Sequence, residues 1–452
     1  MRLACLLIAV CIASAFARAD TTDTSALKPI VGFRVRGDSK LRQRTLGFLA
    51  HIEIGDLIGD AAIPKITAAL ISSELFEKVK VTLEPGVDED TDEPGYLVVA
   101  TLEDKHSWFA APTLYLLGER RAVGAGFIEN NLGGFNQKLL LYAQYGSHES
   151  ILFGTYLDPS VSGTPFTWRF DFYGYRRQID EYANPANDST DESILRTTQV
   201  DYLGLGFQVG FNIKWWLVTD LRLRGGKNTY SNAHSPVDDS PLPLPQDDGW
   251  DVTTQGRITL DARHYRFGVR WGPYLQLVGE TSIPGLDDYD YSTALLRAYY
   301  GWRLFDEHQL EFRVNGALGR NLPIHDDLLL GGAVDLRGYT VDRFRGDTRA
   351  FFRTEYSVPI AKWRMFAFRG VTFWDSGFIG FYRPRKDVID GGDRTFFYPN
   401  MERGAHWFRN DIGAGFRVYV KSVVLPLLGI DFAYGIEGEA FATYFQLGLV
   451  DF

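Results

Sequence analysis

From residue 106 onward, polar and apolar residues alternate in segments of about ten, the pattern of strands rather than of amphipathic helices. Gln309-Leu310-Glu311-Phe312-Arg313-Val314-Asn315 is the clearest case, with polar side chains on one face and apolar ones on the other. Residues 167–173, 220–224, 257–263 and 349–358 repeat it. Sixteen strands are predicted, starting near Trp108, Ala122, Gln137, Ile151, Thr167, Thr198, Leu217, Thr253, Val269, Ser292, Gln309, Arg349, Met365, Asp411, Leu428 and Phe441. A soluble sandwich would bury the apolar face, whereas a membrane barrel turns it to lipid and keeps the polar face in the lumen. Alternation is common to both, but loop lengths separate them. Connections at the end where the first strand begins are all short: 132–135, 158–163, 212–214, 264–267, 305–308, 359–363 and 421–424. The long ones fall at the other end: 178–191, 230–250, 281–290, 320–348 and 382–403. Short turns on one side and long loops on the other are the habit of outer-membrane barrels.

Residues 29–104 carry a different pattern. Ile30-Val31-Gly32-Phe33-Arg34-Val35-Arg36 alternates as a strand and stops at Gly37-Asp38. Ser39 is the expected N-cap of a helix over 40–49. A second helix is predicted over 60–76, with Pro64 in its first turn and Ile63, Ile66, Leu70 and Ile71 at helical spacing. Strands over 78–84 and 96–103 follow, joined by the acidic turn 86–95, giving the order β-α-α-β-β. That turn lacks the ligand spacing of known calcium loops and reads as a solvated hairpin tip.

The first nineteen residues read as a secretory signal peptide: a charged start, an apolar run from Leu3 to Ala17, and small residues before cleavage after Ala17 or Ala19. Both cysteines, Cys5 and Cys11, lie there, and Val10 before Cys11 does not suit lipidation. Disulfides, thiol chemistry and cysteine metal sites are therefore not expected in the rest of the chain. No later stretch has the length of apolar sequence that a membrane helix needs. The net charge of −10 argues against nucleic acid as a partner. Among the 32 Phe, 23 Tyr and 10 Trp, a group at predicted strand ends (Tyr173, Tyr175, Trp215, Trp216, Tyr299, Tyr300, Trp302) fits a membrane-interface girdle, although an aromatic-rich sandwich would show the same crowding.

Three motifs carry a mechanism. Leu336-Arg337-Gly338-Tyr339 lies in the longest loop, Arg353-Thr354-Glu355-Tyr356 on the twelfth strand, and Phe373-Trp374-Asp375-Ser376-Gly377 on the thirteenth. Glu355 shares its face with Arg349 and Arg353, the face expected to line the lumen. An arginine on a long loop can reach back and meet two carboxylates with its planar fork. Three unrelated lumen charges would look alike in sequence. With Phe33-Arg34-Val35-Arg36-Gly37-Asp38 and Leu75-Phe76-Glu77-Lys78-Val79, these motifs resemble the POTRA-containing outer-membrane barrels of the bacterial surface antigen type, insertases and translocators such as BamA and TamA. Glu74 stands where that family often has Gly.

The resemblance implies a signal peptide (1–19), one periplasmic POTRA domain (29–104) and a sixteen-stranded barrel (106–452) in the Gram-negative outer membrane. It implies a lumenal lock of Arg337, Gly338 and Tyr339 on Glu355, Asp375 and Gly377. It also implies a seam between the first and last strands, near Leu114, Leu447, Gly448 and the terminal Phe452, through which polypeptide clients docked by the POTRA domain enter the membrane. Val450-Asp451-Phe452 resembles a barrel-insertion signal, with Gly448 one place off the usual spacing. The expected partners are membrane lipid and unfolded or secreted polypeptides; the barrel is expected to be monomeric and to need no cofactor. No Gly-x-Ser-x-Gly elbow, His-Glu-x-x-His helix or Gly-rich phosphate loop occurs, so no enzyme, including a membrane-anchored hydrolase, is expected. His325-Asp326-Asp327 is the one cluster with metal-ligand residue types and reads as plain loop. The alternative function is a passive pore or structural membrane module without a client.

Overall fold

The computed structural model describes residues 27–88, 91–118, 120–182, 193–266, 268–364, 366–382, 385–388, 395–398, 408–420 and 426–448. The predicted signal segment and Phe452 lie outside them. Two compact units divide between Lys105 and His106.

The N-terminal unit runs β1 (Lys28–Asp38), α1 (Gln43–Ala50), β2 (Leu57–Ile58), α2 (Ile63–Ser72), β3 (Phe76–Val87) and β4 (Pro94–Asp104). Its sheet has the order β2-β1-β4-β3, with β1 parallel to β4 and β3 antiparallel to it. Leu46 and Leu49 from α1 and Ile66 and Leu70 from α2 are buried against Ile30, Val98 and Ala100 of the sheet. Three details depart from the sequence reading. Ser39 does not cap α1: its Oγ donates to Asp104 Oδ1 at 2.5 Å and accepts from the Leu41 amide at 3.2 Å, so it pins the chain to β4 and the helix begins only at Gln43. The second helix ends at Ser72 because Glu74 takes a left-handed conformation (φ +58), and Phe76 already belongs to β3. Two-residue β2, too short to show periodicity, closes the edge beside β1.

The second unit is a closed antiparallel barrel. Its strands are β5 (Trp108–Leu117), β6 (Arg120–Leu132), β7 (Gln137–Gly146), β8 (Glu149–Asp158), β9 (Phe166–Tyr182), β10 (Ile194–Lys214), β11 (Leu217–His234), β12 (Gly249–Asp261) with its short continuation β13 (His264–Arg266), β14 (Val269–Ser282), β15 (Ser292–Leu304), β16 (His308–Arg320), β19 (Thr348–Trp363), β20 (Phe366–Gly380), β23 (Arg409–Val420), β24 (Pro426–Gly435) and β25 (Ala440–Leu447). Both β12 and β13 pair with β14, so together they form one interrupted stave of sixteen. The loop 321–347 holds the small sheet β17 (Leu328–Leu330) with β18 (Phe344–Gly346), and the connection after β20 holds β21 (Arg385–Val388) with β22 (Thr395–Tyr398).

Burial decides which face is outside. On β10, Leu203, Leu205, Phe207, Val209 and Phe211 are exposed, Leu203 at 71%, while Tyr202 on the opposite face of the same strand is 4% exposed. No aqueous surface would present such a belt on every stave, so the exterior is the lipid face and the barrel spans a membrane. Inside, charges pair between neighbouring strands, as in Arg257–Asp220 (2.9 Å), and across an intervening one, as in Arg222 of β11 with Asp171 of β9 (2.9 Å). Three of the expected girdle aromatics belong to this interior. Tyr173 and Tyr175 stack on Tyr202, and Tyr299 donates to the Arg270 carbonyl. They share strand parity with Asp171 and Arg297, which is the physical reason. Trp215 and Trp302 do face outward.

Candidate functional site

The loop 321–347 folds into the lumen because its apolar residues find cover there. Leu330, Leu336 and Phe344 are fully buried and pack with Tyr339 against Phe351 of β19 and Ile379 of β20. That cluster places Arg337 against the barrel wall with no solvent exposure. Its Nε and Nη2 donate to the two carboxylate oxygens of Asp375 at 2.8 and 3.2 Å. Its Nη1 donates to Glu355 at 3.1 Å and to Asp431 at 3.5 Å. The guanidinium carbon, Cζ, lies 3.2 Å from the centre of the Phe373 ring. Arg353 forks onto Asp375 from the neighbouring strand (2.7 and 3.1 Å), and Arg417 donates to Asp431 at 2.8 Å. A planar five-donor cation is the side chain that can satisfy this arrangement, since lysine offers no fork.

The adjacent motif residues are held as closely. The Gly338 amide donates to Asp411 Oδ2 at 2.9 Å, and a Cβ on Gly338 would lie 2.4 Å from the Gly435 amide nitrogen. Gly377 leaves room for Leu330 and Leu336, whose methyl groups would stand 2.7 and 3.1 Å from an added Cβ. Tyr339 Oη donates to Glu437 at 2.5 Å, and the Tyr339 carbonyl accepts from Tyr444 Oη at 2.6 Å. Tyr444 sits on β25, so the lumenal clamp reaches the last strand directly. The structure thus brings Arg337, Gly338, Tyr339, Glu355, Asp375 and Gly377 into one cluster.

Sequence reasoning missed Asp431, Asp411, Arg417 and Tyr444. Asp431, in the otherwise apolar run Leu428-Gly429-Ile430-Asp431-Phe432, carried a signal: a lone carboxylate in a membrane strand needs a cation.

The second group of expected residues lies where the barrel closes. Among the described residues β25 and β5 share four register pairs, Tyr444–Leu117, Phe445–Leu116, Gln446–Tyr115 and Leu447–Leu114, against seventeen between β9 and β10. Gly448 lies beyond these pairs with φ +116, and its amide donates to the Leu427 carbonyl of β24 at 2.7 Å. A Cβ there would meet Thr113 Cγ2 at 2.4 Å. This seam is separate from the clamp but linked to it through Tyr444.

Among the described residues one cluster has metal-site dimensions, Asp251, His325 and Asp326. Arg224 Nη2 already lies 3.0 Å from Asp251, 3.1 Å from Glu280 and 3.4 Å from Asp326. Those carboxylates have their cation, and the residues do not fit a metal. The cluster anchors the start of the long loop to β11 and β12.

Comparison with known proteins agrees with this geometry. The family model described as the Omp85 superfamily domain matches residues 131–449. Among solved structures, the chain is similar to BamA from Haemophilus ducreyi lacking POTRA domains 1–3, with 13% identity, a TM-score of 0.54, and 93% of this chain and 84% of that one covered. It is similar to CdiB from Escherichia coli (11% identity, TM-score 0.61, 93% and 76% covered). CdiB from Acinetobacter baumannii gives 14% identity, a TM-score of 0.57 and coverage of 93% and 74%. No curated protein sequence matches the chain.

Proposed function

Because the chain belongs to the Omp85 superfamily of outer-membrane barrels, we propose that it inserts or translocates polypeptides at that membrane through a lateral seam between β5 and β25. The observation that carries the reading is the closure at the seam, where β5 and β25 share four register pairs among the described residues. Among the described residues few ladder bonds hold it, and an opened β5 edge is a template on which an extended client strand can pair. The N-terminal unit is read as a POTRA domain in the periplasm. The sheet order leaves β3 as its long free edge, which suits docking of an extended polypeptide by strand addition. The clamp keeps the loop in the lumen while the seam moves, and Tyr444 ties β25 to the loop that Arg337 anchors. The reading involves no covalent step and no catalytic residue, and one barrel suffices for it.

A passive pore is the competing reading. It needs an open lumen, and the buried packing of Leu330, Leu336 and Phe344 fills part of that lumen with the loop.

The experiment closes the seam. Leu114→Cys with Leu447→Cys places two thiols at paired positions, and oxidation should lock the edges. The locked protein should fail to support client assembly in a deletion strain, recover on reduction, and keep its single-channel conductance in planar bilayers. Full complementation under oxidising conditions would rule out lateral opening and favour the passive pore.

A further inference from the structure

The lumen is divided by chemistry. On the staves nearest the seam apolar side chains join the polar lining: Ile128 of β6, Leu140 of β7, and Ile151 and Phe153 of β8, with the charged Arg120, Arg121, Glu149, Arg177 and Asp342, line a cavity of about 530 Å3. Register fixes their side, because Ile128 pairs with Leu140, Tyr142 with Phe153 and Gln144 with Ile151, while the alternate residues Leu141 and Leu152 are exposed on the lipid face. Tyr115 and Gln446, paired across the seam, line the same cavity. Half-buried apolar groups that face a lumenal cavity cost free energy in water and mark a place for an apolar ligand.

A second cavity, about 740 Å3, lies on the staves β14–β16 and is lined by Arg263, Arg270, Arg297, Arg313 and Arg349 with tyrosines between them. Three of these arginines have carboxylate partners: Arg263 with Asp261 (2.6 Å), Arg313 with Glu311 (2.7 Å) and Arg349 with Asp335 (2.6 Å). Arg270 and Arg297 have none within 4.0 Å among the described residues. Arg270 stacks on Tyr299 at 4.6 Å, and Arg297 donates to Gln276 at 3.4 Å. The chain is acidic overall, yet this chamber holds two cations in excess. Val334, at the tip of the long loop and 62% exposed, lines both cavities, so the apolar and basic chambers adjoin.

We propose that the lumen binds one phosphate-bearing membrane lipid, its acyl chain against Ile128, Leu140, Ile151 and Phe153 and its phosphate in the basic chamber that holds Arg270 and Arg297. Charge complementarity selects an anionic head, because guanidinium donors recognise phosphate and the chamber has no surplus carboxylate. Continuity of the apolar chamber with the seam gives the chain a way in from the bilayer. The inference goes beyond the polypeptide reading and holds whether or not clients pass the seam.

The test uses the full chain in liposomes doped with a phosphatidic acid that carries a diazirine in its acyl chain, with adducts located by peptide mass spectrometry. Adducts are expected on Leu140, Ile151 and Phe153 as well as on the lipid-facing Leu141 and Leu152. With Arg270→Gln and Arg297→Gln combined, lumenal adducts should fall about tenfold, the loss expected for charge-assisted contacts, while the lipid-facing ones stay constant. A diacylglycerol with the same diazirine should label the lumen as weakly as the double variant does. Heat-modifiable migration confirms that the variant is folded, and the wild-type comparison of the two probes stands without it. Labelling confined to Leu141 and Leu152, or lumenal labelling indifferent to both the headgroup and the arginines, would overturn the proposal, as would protection of the lumen by an added client peptide but not by unlabelled phosphatidic acid.

Discussion

Arg337 is the residue on which most of the lumen depends. It faces Asp375, Glu355 and Asp431 with its own side chain wholly buried. Arg337→Ala leaves those carboxylates short of a cation in a partly desolvated space, at a cost of roughly 3–5 kcal/mol. The wall is braced by Arg353 and Arg417, so the barrel itself should survive. Heat-modifiable migration should be retained, and proteolysis within 321–347 should accelerate; an equally protected loop would remove Arg337 from the clamp. Arg337→Lys should resemble the alanine variant, because one ammonium cannot bridge three carboxylates with the fork geometry. Gly338 gives a steric counterpart. Gly338→Val puts carbon where the Gly435 backbone already is and should cost about 1–3 kcal/mol in urea denaturation. Gly256→Ala, whose Cβ meets nothing within 4 Å, should be neutral. Similar midpoints for the two would mean that the loop does not press on β24.

At the scale of elements, the informative pair is β5 with β25. The register sets Leu114 opposite Leu447 and Leu116 opposite Phe445. Cysteines at 114 and 447 should therefore cross-link under mild oxidation in the resting protein, and cysteines at 114 and 445 should do so far less. The reverse preference would mean that the closure is shifted by two residues. A one-residue slip is a larger error than it sounds, because it turns every side chain of β25 to the opposite face and takes Tyr444 away from the Tyr339 carbonyl. Parity of this kind also explains why Tyr173 and Tyr175 stand apart from a girdle: crowding near a strand end does not fix a side, whereas alternation with Phe172 and Gly174 places them on the side of Asp171.

For the whole molecule, orientation can be read by cysteine labelling. Beyond residue 19 the sequence has no cysteine, so single cysteines can be introduced without background. Val237→Cys, at an 88% exposed position in a long loop, should react with an impermeant maleimide on intact cells. Ser162→Cys, in the turn at the opposite end of the barrel, should react only after the outer membrane is opened. Labelling with the opposite pattern would invert the barrel and remove the periplasmic placement of the N-terminal unit.

The sequence by itself determined the staves. All sixteen predicted starts fall within four residues of an observed strand, because a membrane strand is specified locally: each alternate residue meets lipid or lumen whatever its neighbours are. The Leu336–Tyr339 motif, Glu355 and Asp375 were legible through the family resemblance, since their residue types alone fit three unrelated lumen charges equally well. Tertiary structure decided the rest. That Asp431, Asp411 and Arg417 join the clamp depends on which staves become neighbours when the sheet closes, and periodicity along one strand carries no information about closure. Ser39 lost its helix to Asp104, a residue 65 positions away that only the folded sheet brings within 2.5 Å. The division of the lumen into apolar and basic chambers arises in the same way, from staves far apart in the chain facing one another across a space that forms only when the barrel shuts.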